Sequence, residues 1–306
     1  MNKELGQNRK NNIINLGQKM IEKKMAGALL EAKKLYNGHT RVVSITSGKG
    51  GVGKTNIVAN LGISFSRSGK KVLVFDADLG LGNLDILLGI APKYNLSHVI
   101  NGEKTINDII IEGPGGINIL PASSGIHEFT RLTGKQQTKI IHEINLIING
   151  YDILLIDTAA GISSDVMYFN TVAKEIVVVV SPDPTSITDA YALMKVLWIK
   201  YAASHFKLVI NQSKNMNEAK NVFRQLRMVT DRFMDITLEF LGHIEYDKSV
   251  TMSIRHQKAV VELYPESNAS QCFKELAKKI IRLPRSAISN SKRMNMNNPL
   301  NKKKEF

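Results

Sequence analysis

A glycine-rich segment between a β-branched run and a helical pattern constrains the fold of this chain more than any other feature. The segment is Gly48-Lys49-Gly50-Gly51-Val52-Gly53-Lys54-Thr55, and it lies between a strand-like run over 42–46 and a helical pattern over 56–68. Its spacing fits G-x-x-x-x-G-K-[ST], in which glycines let backbone N–H groups turn inward around phosphates. In this pattern the helix presents its positive end, Lys54 reaches the β/γ-phosphates and Thr55 offers a hydroxyl to Mg²⁺. The segment therefore predicts a nucleotide phosphate loop that joins a strand to a helix.

Beyond this loop, short β-branched runs alternate with longer helical patterns, which is typical of parallel strands joined by crossover helices. The expected strands are 42–46, 72–75, 117–120, 153–156, 176–180 and 207–210, with 238–244 as one more. The expected helices are 56–68, 135–148, 187–201, 218–234 and 271–281. Several strand runs are apolar on both faces, as an interior parallel sheet requires. The sequence thus predicts an α/β fold, with a doubly wound, mostly parallel sheet and helices on both faces.

The positive charge of the chain is concentrated at its two ends. The net charge is +14, and residues 1–40 hold eight Lys/Arg against three Asp/Glu, while 284–306 hold six against one. The ends therefore carry ten of the fourteen excess charges. We expect three regions: a basic helical extension over 1–40, a folded domain over 41–283, and a disordered basic tail over 284–306. Such ends suit an acidic surface or partner, but solvated tails that keep the protein soluble are an equal alternative.

Composition excludes several classes of protein. Apolar residues make up 43% and charged residues 22% of the chain, as in an ordinary globular protein. No run approaches the roughly 18 apolar residues that cross a bilayer, and the first residues lack the layout of a secretory signal. The single Cys272 can form no internal disulfide and supplies no Cys-x-x-Cys cluster site. We therefore expect a cytoplasmic protein, and not a metal-cluster or reductase relative of the same fold.

Carboxylates follow two of the expected strands. Asp76 and Asp78 come at the end of the second strand, and Asp157 closes the apolar run 153–156. Ligands bind at the carboxyl ends of strands in open α/β sheets, and an acid after an apolar strand is the Walker B arrangement that holds Mg²⁺. Either Asp76 or Asp78 alone could equally be a turn former. Gly161 follows with the backbone freedom to approach a γ-phosphate.

A lysine in the loop additional to Lys54 makes a family resemblance recognisable. The run 49–55, with Lys49 inside the phosphate loop, resembles the deviant Walker A loop of the MinD/ParA family, which belongs to the SIMIBI class of P-loop NTPases. The resemblance implies that Lys49 crosses an ATP-sandwiched homodimer and contacts the partner's nucleotide, as an arginine finger does. It also implies that Asp78 positions the attacking water and that Asp76 organises the loop and the Mg²⁺ shell.

The same resemblance gives Asn211, after the sixth strand, the role of reading the adenine edge. An amide offers both a donor and an acceptor, which suits that task. A turn-forming Asn at a strand end is the alternative. ATP and Mg²⁺ are the implied substrate and cofactor, and the implied activity is slow ATP hydrolysis.

Within the family, the run 182–193 and the stretches 241–247 and 260–265 look most like the FlhG regulators of flagellar number and placement. The resemblance covers roughly residues 40–283. It departs at Glu245, where relatives usually carry Pro beside the base pocket. In addition, the D-Q-A-x-x-L-R type motif that stimulates the partner GTPase is not legible around Gln7 or Gln18.

This resemblance implies several candidate partners besides a second copy of the chain. They are an FlhF-type GTPase, a flagellar basal-body component, a transcription regulator and, through the basic ends, an anionic membrane. The alternative is a ParA-type partitioning or division-site ATPase that acts on DNA or membrane. Because the body carries an excess of only four positive charges, sequence-specific DNA binding is not expected.

Overall fold

A computed structural model describes residues 39–80, 82–122 and 132–284 of the chain. Within these residues eight strands form one sheet. They are β1 (Arg41–Ser47), β2 (Val72–Ala77), β3 (Ile111–Glu112), β4 (Asn118–Leu120), β5 (Ile153–Ala160), β6 (Glu175–Val180), β7 (His205–Ser213) and β8 (Thr237–Glu245).

The strand order places the phosphate loop at the centre of the sheet. The order is β3-β4-β2-β5-β1-β6-β7-β8, and every pair is parallel except β3 with β4. The glycine-rich loop follows β1, which lies between β5 and β6. In the register of the neighbouring strands, Asp157 lies opposite Ile45 on one side and Asp76 on the other. The sheet itself therefore brings the two acids and the loop to one edge.

Eleven α-helices occur in the described part of the chain. They are α1 (Lys54–Arg67), α2 (Leu84–Leu88), α3 (Leu96–Ile100), α4 (Ile106–Ile109), α5 (Gly134–Ile147), α6 (Ser164–Val172), α7 (Pro184–Tyr201), α8 (Met216–Phe233), α9 (Lys248–Arg255), α10 (Val260–Leu263) and α11 (Asn268–Arg282).

Both faces of the sheet are covered because successive strand residues are apolar on alternate sides. Val43 and Ile45 of β1 pack with α1 and α11, whereas Val42 packs on the opposite face. That opposite face is covered by α3 to α6 under one half of the sheet and by α6 to α8 under the other. The predicted doubly wound, mostly parallel architecture is confirmed.

All seven expected strands and all five expected helices occur, each within a few residues of its expected bounds. The sequence pattern did not predict β3 or the helices α2, α3, α4, α6, α9 and α10, because elements of nine residues or fewer carry too little periodicity. None of the described helices is long and apolar enough to span a membrane. The expected helical extension (1–40) and basic tail (284–306) lie almost wholly outside the described residues.

A buried ion network joins the strand ends that lie away from the phosphate loop. Arg41 begins β1, and its Nε donates to Glu175 Oε1 at 2.5 Å while Nη2 donates to Oε2 at 3.1 Å. Lys207 of β7 also donates to Glu175. The third Arg41 nitrogen, Nη1, donates to the carbonyl oxygens of Ile280 and Leu283 at the end of α11. The network therefore ties three strands to the last helix.

Replacing Glu175 with Gln should destabilise the protein strongly. The change leaves the buried Arg41 guanidinium and the half-buried Lys207 ammonium without a carboxylate. Breaking a buried pair in this way costs about 3–5 kcal/mol. Urea denaturation followed by circular dichroism would measure the free energy of unfolding. The control is Asp231→Asn, which removes an exposed partner of Arg227 and should cost less than about 1 kcal/mol. A Glu175→Gln variant as stable as that control would show that the network is not a fold determinant.

Candidate functional site

Two glycines of the loop occupy positions that no larger residue can take. Gly53 has φ +91°, and a Cβ there would lie 2.4 Å from Asn211 Nδ2. A Cβ at Gly48 would lie 2.1 Å from the carbonyl oxygen of Asp189 in α7. The loop therefore passes against β7 on one side and α7 on the other. Its backbone is held in the turned conformation that a phosphate loop needs.

Helix α1 begins at Lys54, so the lysine and Thr55 lie in its first turn. The sequence pattern predicted a helix start two residues later, at residue 56. Lys54 is buried, and burial lowers its pKa, whereas the nearby Asp157 and Asp78 carboxylates raise it. An ammonium group held at the positive end of a helix, among carboxylates, is well placed to receive anionic phosphate oxygens.

Asp157 is the most unusual group in the site. It is 1% exposed, and neither carboxylate oxygen has a hydrogen-bond partner of normal geometry among the described residues. Burial raises its pKa to about 7, an effect that Asp78 strengthens and that the Thr55 hydroxyl and Lys54 oppose. A buried, unpaired carboxylate is costly, and a bound cation is the usual compensation.

Asp76 lies beside Asp157 but has partners of its own. Its Oδ1 accepts from the Asp78 N–H at 3.1 Å and its Oδ2 from the Leu84 N–H at 3.4 Å. Burial raises the pKa of Asp76 well above its usual value, and the charge of Asp157 raises it further. Asp76 therefore fixes the segment after β2, while Asp78 remains half-buried near Lys54 and Asp157.

The site holds three carboxylates and one ammonium group, an imbalance that fits a divalent cation. Mg²⁺ prefers oxygen ligands and commonly takes one or two carboxylates together with phosphate oxygens. The unpaired oxygens of Asp157 and the adjacent Thr55 hydroxyl provide such ligands. The residues at this edge therefore fit the predicted magnesium site.

Lys49 contacts its own chain in this structure. Its Nζ donates to Asp183 Oδ1 at 2.9 Å and to Thr185 Oγ1 at 2.7 Å, and both members of the ion pair have side chains 40% exposed. Asp183 caps α7, and hydrogen bonds from Ser181, Thr185 and Lys49 hold its pKa well below its usual range. This contact was not predicted from the sequence, although the Asp-Pro-Thr run carries a helix-cap signature.

Asn211 is buried against the loop. Its Nδ2 donates to the Val52 carbonyl oxygen at 2.8 Å, so the amide nitrogen anchors the loop. Glu245 ends β8 opposite Ser213 of β7, and its Oε1 lies 3.5 Å from His243 Nε2. The structure thus places Asn211 directly against the phosphate loop and Glu245 at the same edge of the sheet.

Comparisons with known proteins agree with this geometry. A family model described as an AAA domain matches residues 40–230. The antiactivator FleN of Pseudomonas aeruginosa is 43% identical over 240 residues, which is 78% of this chain and 86% of FleN. The flagellum site-determining protein YlxH of Helicobacter pylori is 32% identical over 78% of this chain and 81% of its own length.

A solved structure is similar over the same region. The septum site-determining protein MinD of Pyrococcus horikoshii, in complex with Mg-ADP, superposes with a TM-score of 0.66 at 28% identity. The match covers 79% of this chain and 96% of that one. With the loop, the two acids and the sheet order described above, these matches show that the chain belongs to the MinD/ParA family of P-loop ATPases, together with FleN and YlxH.

Proposed function

We propose that this chain is a switch that binds ATP with Mg²⁺, dimerises around the nucleotide and hydrolyses it to ADP and phosphate. Through this cycle it regulates the number and placement of flagella. The convergence of Lys54, Thr55 and the unpaired Asp157 at the phosphate loop carries the proposal. The flagellar role is supported by the identity to FleN and to YlxH, whose name states that it determines the site of the flagellum.

We assign the residues of the loop edge as follows. The backbone of the loop cradles the phosphates, and Lys54 neutralises the charge of the terminal two. Thr55 and Asp157 would hold Mg²⁺, with Asp76 in its outer shell. When bound, Mg²⁺ would neutralise charge on the terminal phosphate oxygens. Asp78, half-buried beside Lys54, would position the attacking water.

Lys49 would complete the site of a second subunit. For this role the lysine must leave Asp183 and Thr185. An exposed ion pair contributes only about 0–1 kcal/mol, so the contact within one chain is easily exchanged for one with a phosphate across the dimer. Hydrolysis would then be slow in the monomer and faster in the dimer.

Asn211 would read the base through its carbonyl oxygen. Its amide nitrogen already donates to the loop, which leaves Oδ1 to accept from the amino group of adenine. A carboxylate at Glu245, where relatives usually carry Pro, would alter the polarity of this pocket without removing the Asn211 contact.

A second copy of the chain is the first proposed partner. An FlhF-type GTPase, a basal-body component and a transcription regulator are further candidates. We propose that peripheral contact with an anionic membrane would be electrostatic and would come from the basic ends at 1–40 and 284–306, near the inner face of the cell membrane. Two weak contacts on one dimer would add avidity, so this binding would depend on ATP.

Lys54→Ala should abolish ATP binding at micromolar nucleotide, because backbone dipoles alone do not neutralise the terminal phosphates. A titration with a fluorescent ATP analogue would measure the affinity. The control is Lys71→Ala, an exposed lysine next to the opposite edge of the sheet, which should bind as the wild type does. Unchanged affinity in Lys54→Ala would remove the basis of the proposed site.

Asp157→Asn should stabilise the nucleotide-free protein at pH 8 and less at pH 5.5. The folded-state pKa of Asp157, about 7, lies above the usual 3.8. Between pH 3.8 and about 7 the carboxyl is neutral in the folded protein but charged in the unfolded chain, so the free energy of unfolding falls as the pH rises through this range. An amide cannot ionise and therefore avoids that loss. A difference of about 1 kcal/mol in the free energy of unfolding between the variant and the wild type corresponds to roughly 2–4 °C in Tm.

The same variant should lose the thermal stabilisation by Mg·ATP that the wild type gains. Differential scanning fluorimetry at both pH values, with Asp235→Asn as an exposed control, would measure both effects. A lower Tm for nucleotide-free Asp157→Asn at pH 8 would contradict the assignment of an unpaired buried charge.

Lys49→Ala should separate binding from hydrolysis. The affinity of the monomer for ATP should change little, whereas ATP hydrolysis should fall, because a cation supplied in trans can contribute roughly 10³ in rate. Phosphate release at increasing protein concentration would measure this, with the exposed Lys220→Ala as control. Wild-type hydrolysis in Lys49→Ala would refute the trans lysine.

A further inference from the structure

Three large apolar side chains are exposed where α7 and α8 end. Ile199 lies in the last turn of α7, and Met228 and Phe233 lie in the last two turns of α8. Their side chains are 57% to 72% exposed. Two residues along a helix turn by about 200°, so Ile199, two residues after the buried Leu197, faces away from the sheet. We call Ile199, Met228 and Phe233 the helix-end patch.

The two helix ends are neighbours, so the patch is one surface. Strand β7 begins at His205, four residues after α7, and β8 begins at Thr237, four residues after α8. His205 pairs with Thr237 in the sheet, and the Thr237 N–H donates to the Ser204 carbonyl oxygen at 2.7 Å. Both helices therefore end side by side at the edge of the sheet away from the phosphate loop. Contiguous exposed apolar surface of this kind marks docking sites.

The N-terminal segment, residues 1–38, joins the folded body at this same edge. It leads into Arg41, the first residue of β1, and Arg41 shares the carboxylate of Glu175 with Lys207 of β7. Only β6 lies between β1 and β7, and a spacing of about 4.8 Å per strand separates the two starts by roughly 10 Å. An extended chain covers about 3.4 Å per residue, so a few residues suffice to reach the helix ends.

The sequence of this segment carries an apolar stripe that matches such a surface. The stripe recurs mainly at spacings of three and four residues, typical of an amphipathic helix, and consists of Ile13, Leu16, Met20, Ile21, Met25 and Leu29. Polar residues, among them Asn12, Asn15 and Lys19, fall on the opposite side of the same helix. An amphipathic helix gains stability by packing its apolar side on another apolar surface.

The charges of the segment and of the patch are complementary. Residues 1–38 hold eight Lys/Arg against three Asp/Glu. Beside the patch, the stretch 231–239 holds three carboxylates, those of Asp231, Asp235 and Glu239, against the single cation of Arg232. Charge complementarity of this kind favours one partner and fixes its orientation.

We propose that residues 1–38 dock as an amphipathic helix on the helix-end patch of their own chain. The apolar stripe covers Ile199, Met228 and Phe233, and the lysines on the other side stay in solvent, available to the anionic surface proposed above. Because the proposed ATP dimer forms through the loop edge, it leaves the helix-end patch open to this segment. The docking goes beyond the proposed function and does not depend on it.

Hydroxyl-radical footprinting of the full chain, read by mass spectrometry, tests the docking. Replacing Leu16 and Met20 together, Leu16→Asp with Met20→Asp, should release the segment, because carboxylates are costly to bury against apolar side chains. Oxidation of Met228 should then become severalfold faster than in the wild type. Met216, 40% exposed at the other end of α8, should be oxidised at the same rate in both proteins, which also shows that the variant body is folded.

Asn12→Asp with Asn15→Asp is the matched control. It adds the same two negative charges to the same segment, but on the polar side of the helix, so Met228 should be oxidised as in the wild type. An unchanged Met228 rate in the Leu16 and Met20 variant would overturn the docking. Equal acceleration in the control variant would also overturn it, because charge alone and not the apolar stripe would then determine the protection.

Photocross-linking identifies the occupant of the patch. Benzoylphenylalanine placed in the full chain, Phe233→benzoylphenylalanine, should cross-link on irradiation to peptides from residues 1–38, and the product should keep the mass of one chain. The same photoreactive residue at Met216 should give no such product. Cross-links that join two chains would assign the patch to a second copy, and an absence of cross-links to residues 1–38 would exclude the segment. Either result would overturn the proposal.

Discussion

A carboxylate without a partner, buried at the centre of the sheet, is the constraint on which the functional edge depends. Asp157 is placed there by β5, and the register of the sheet sets Asp76 beside it. Folding this arrangement is unfavourable unless a proton or a cation compensates the charge. The phosphate loop, the first turn of α1 and the segment after β2 all surround this one group. Bound nucleotide and Mg²⁺ would therefore supply the charge compensation that the Asp157 carboxylate lacks within the protein.

Buried charges are paired at one edge of the sheet and left unpaired at the other. At the edge away from the loop, Arg41, Glu175 and Lys207 satisfy one another and hold the last helix. At the loop edge, the carboxylate oxygens of Asp157 are left open among the described residues. The paired charges hold three strands and the last helix together, and the unpaired carboxylate is the group that the proposed function assigns to Mg²⁺.

Much of this was predictable from the sequence because the signals are local. The loop pattern and the alternation of strands and helices predicted the fold, and the acids after the strands predicted the edge at which Asp76, Asp78 and Asp157 meet. Contacts between distant segments had no such signal. The bond of Lys49 to Asp183 and the bond of Val261 to Asn60 depend on where loops and short helices pack. Helices of four or five residues, such as α10, are set by that packing and leave no periodicity to detect.

The central claim is that ATP, and not ADP, assembles two copies of this chain. Sedimentation velocity of the wild-type protein with Mg·ATP and with Mg·ADP, at the same protein concentration, tests it directly. The account predicts a dimer with ATP and a monomer with ADP, because only ATP presents a γ-phosphate for the lysine of the opposite subunit. The same sedimentation coefficient with both nucleotides, whether that of a monomer or of a dimer, would contradict it.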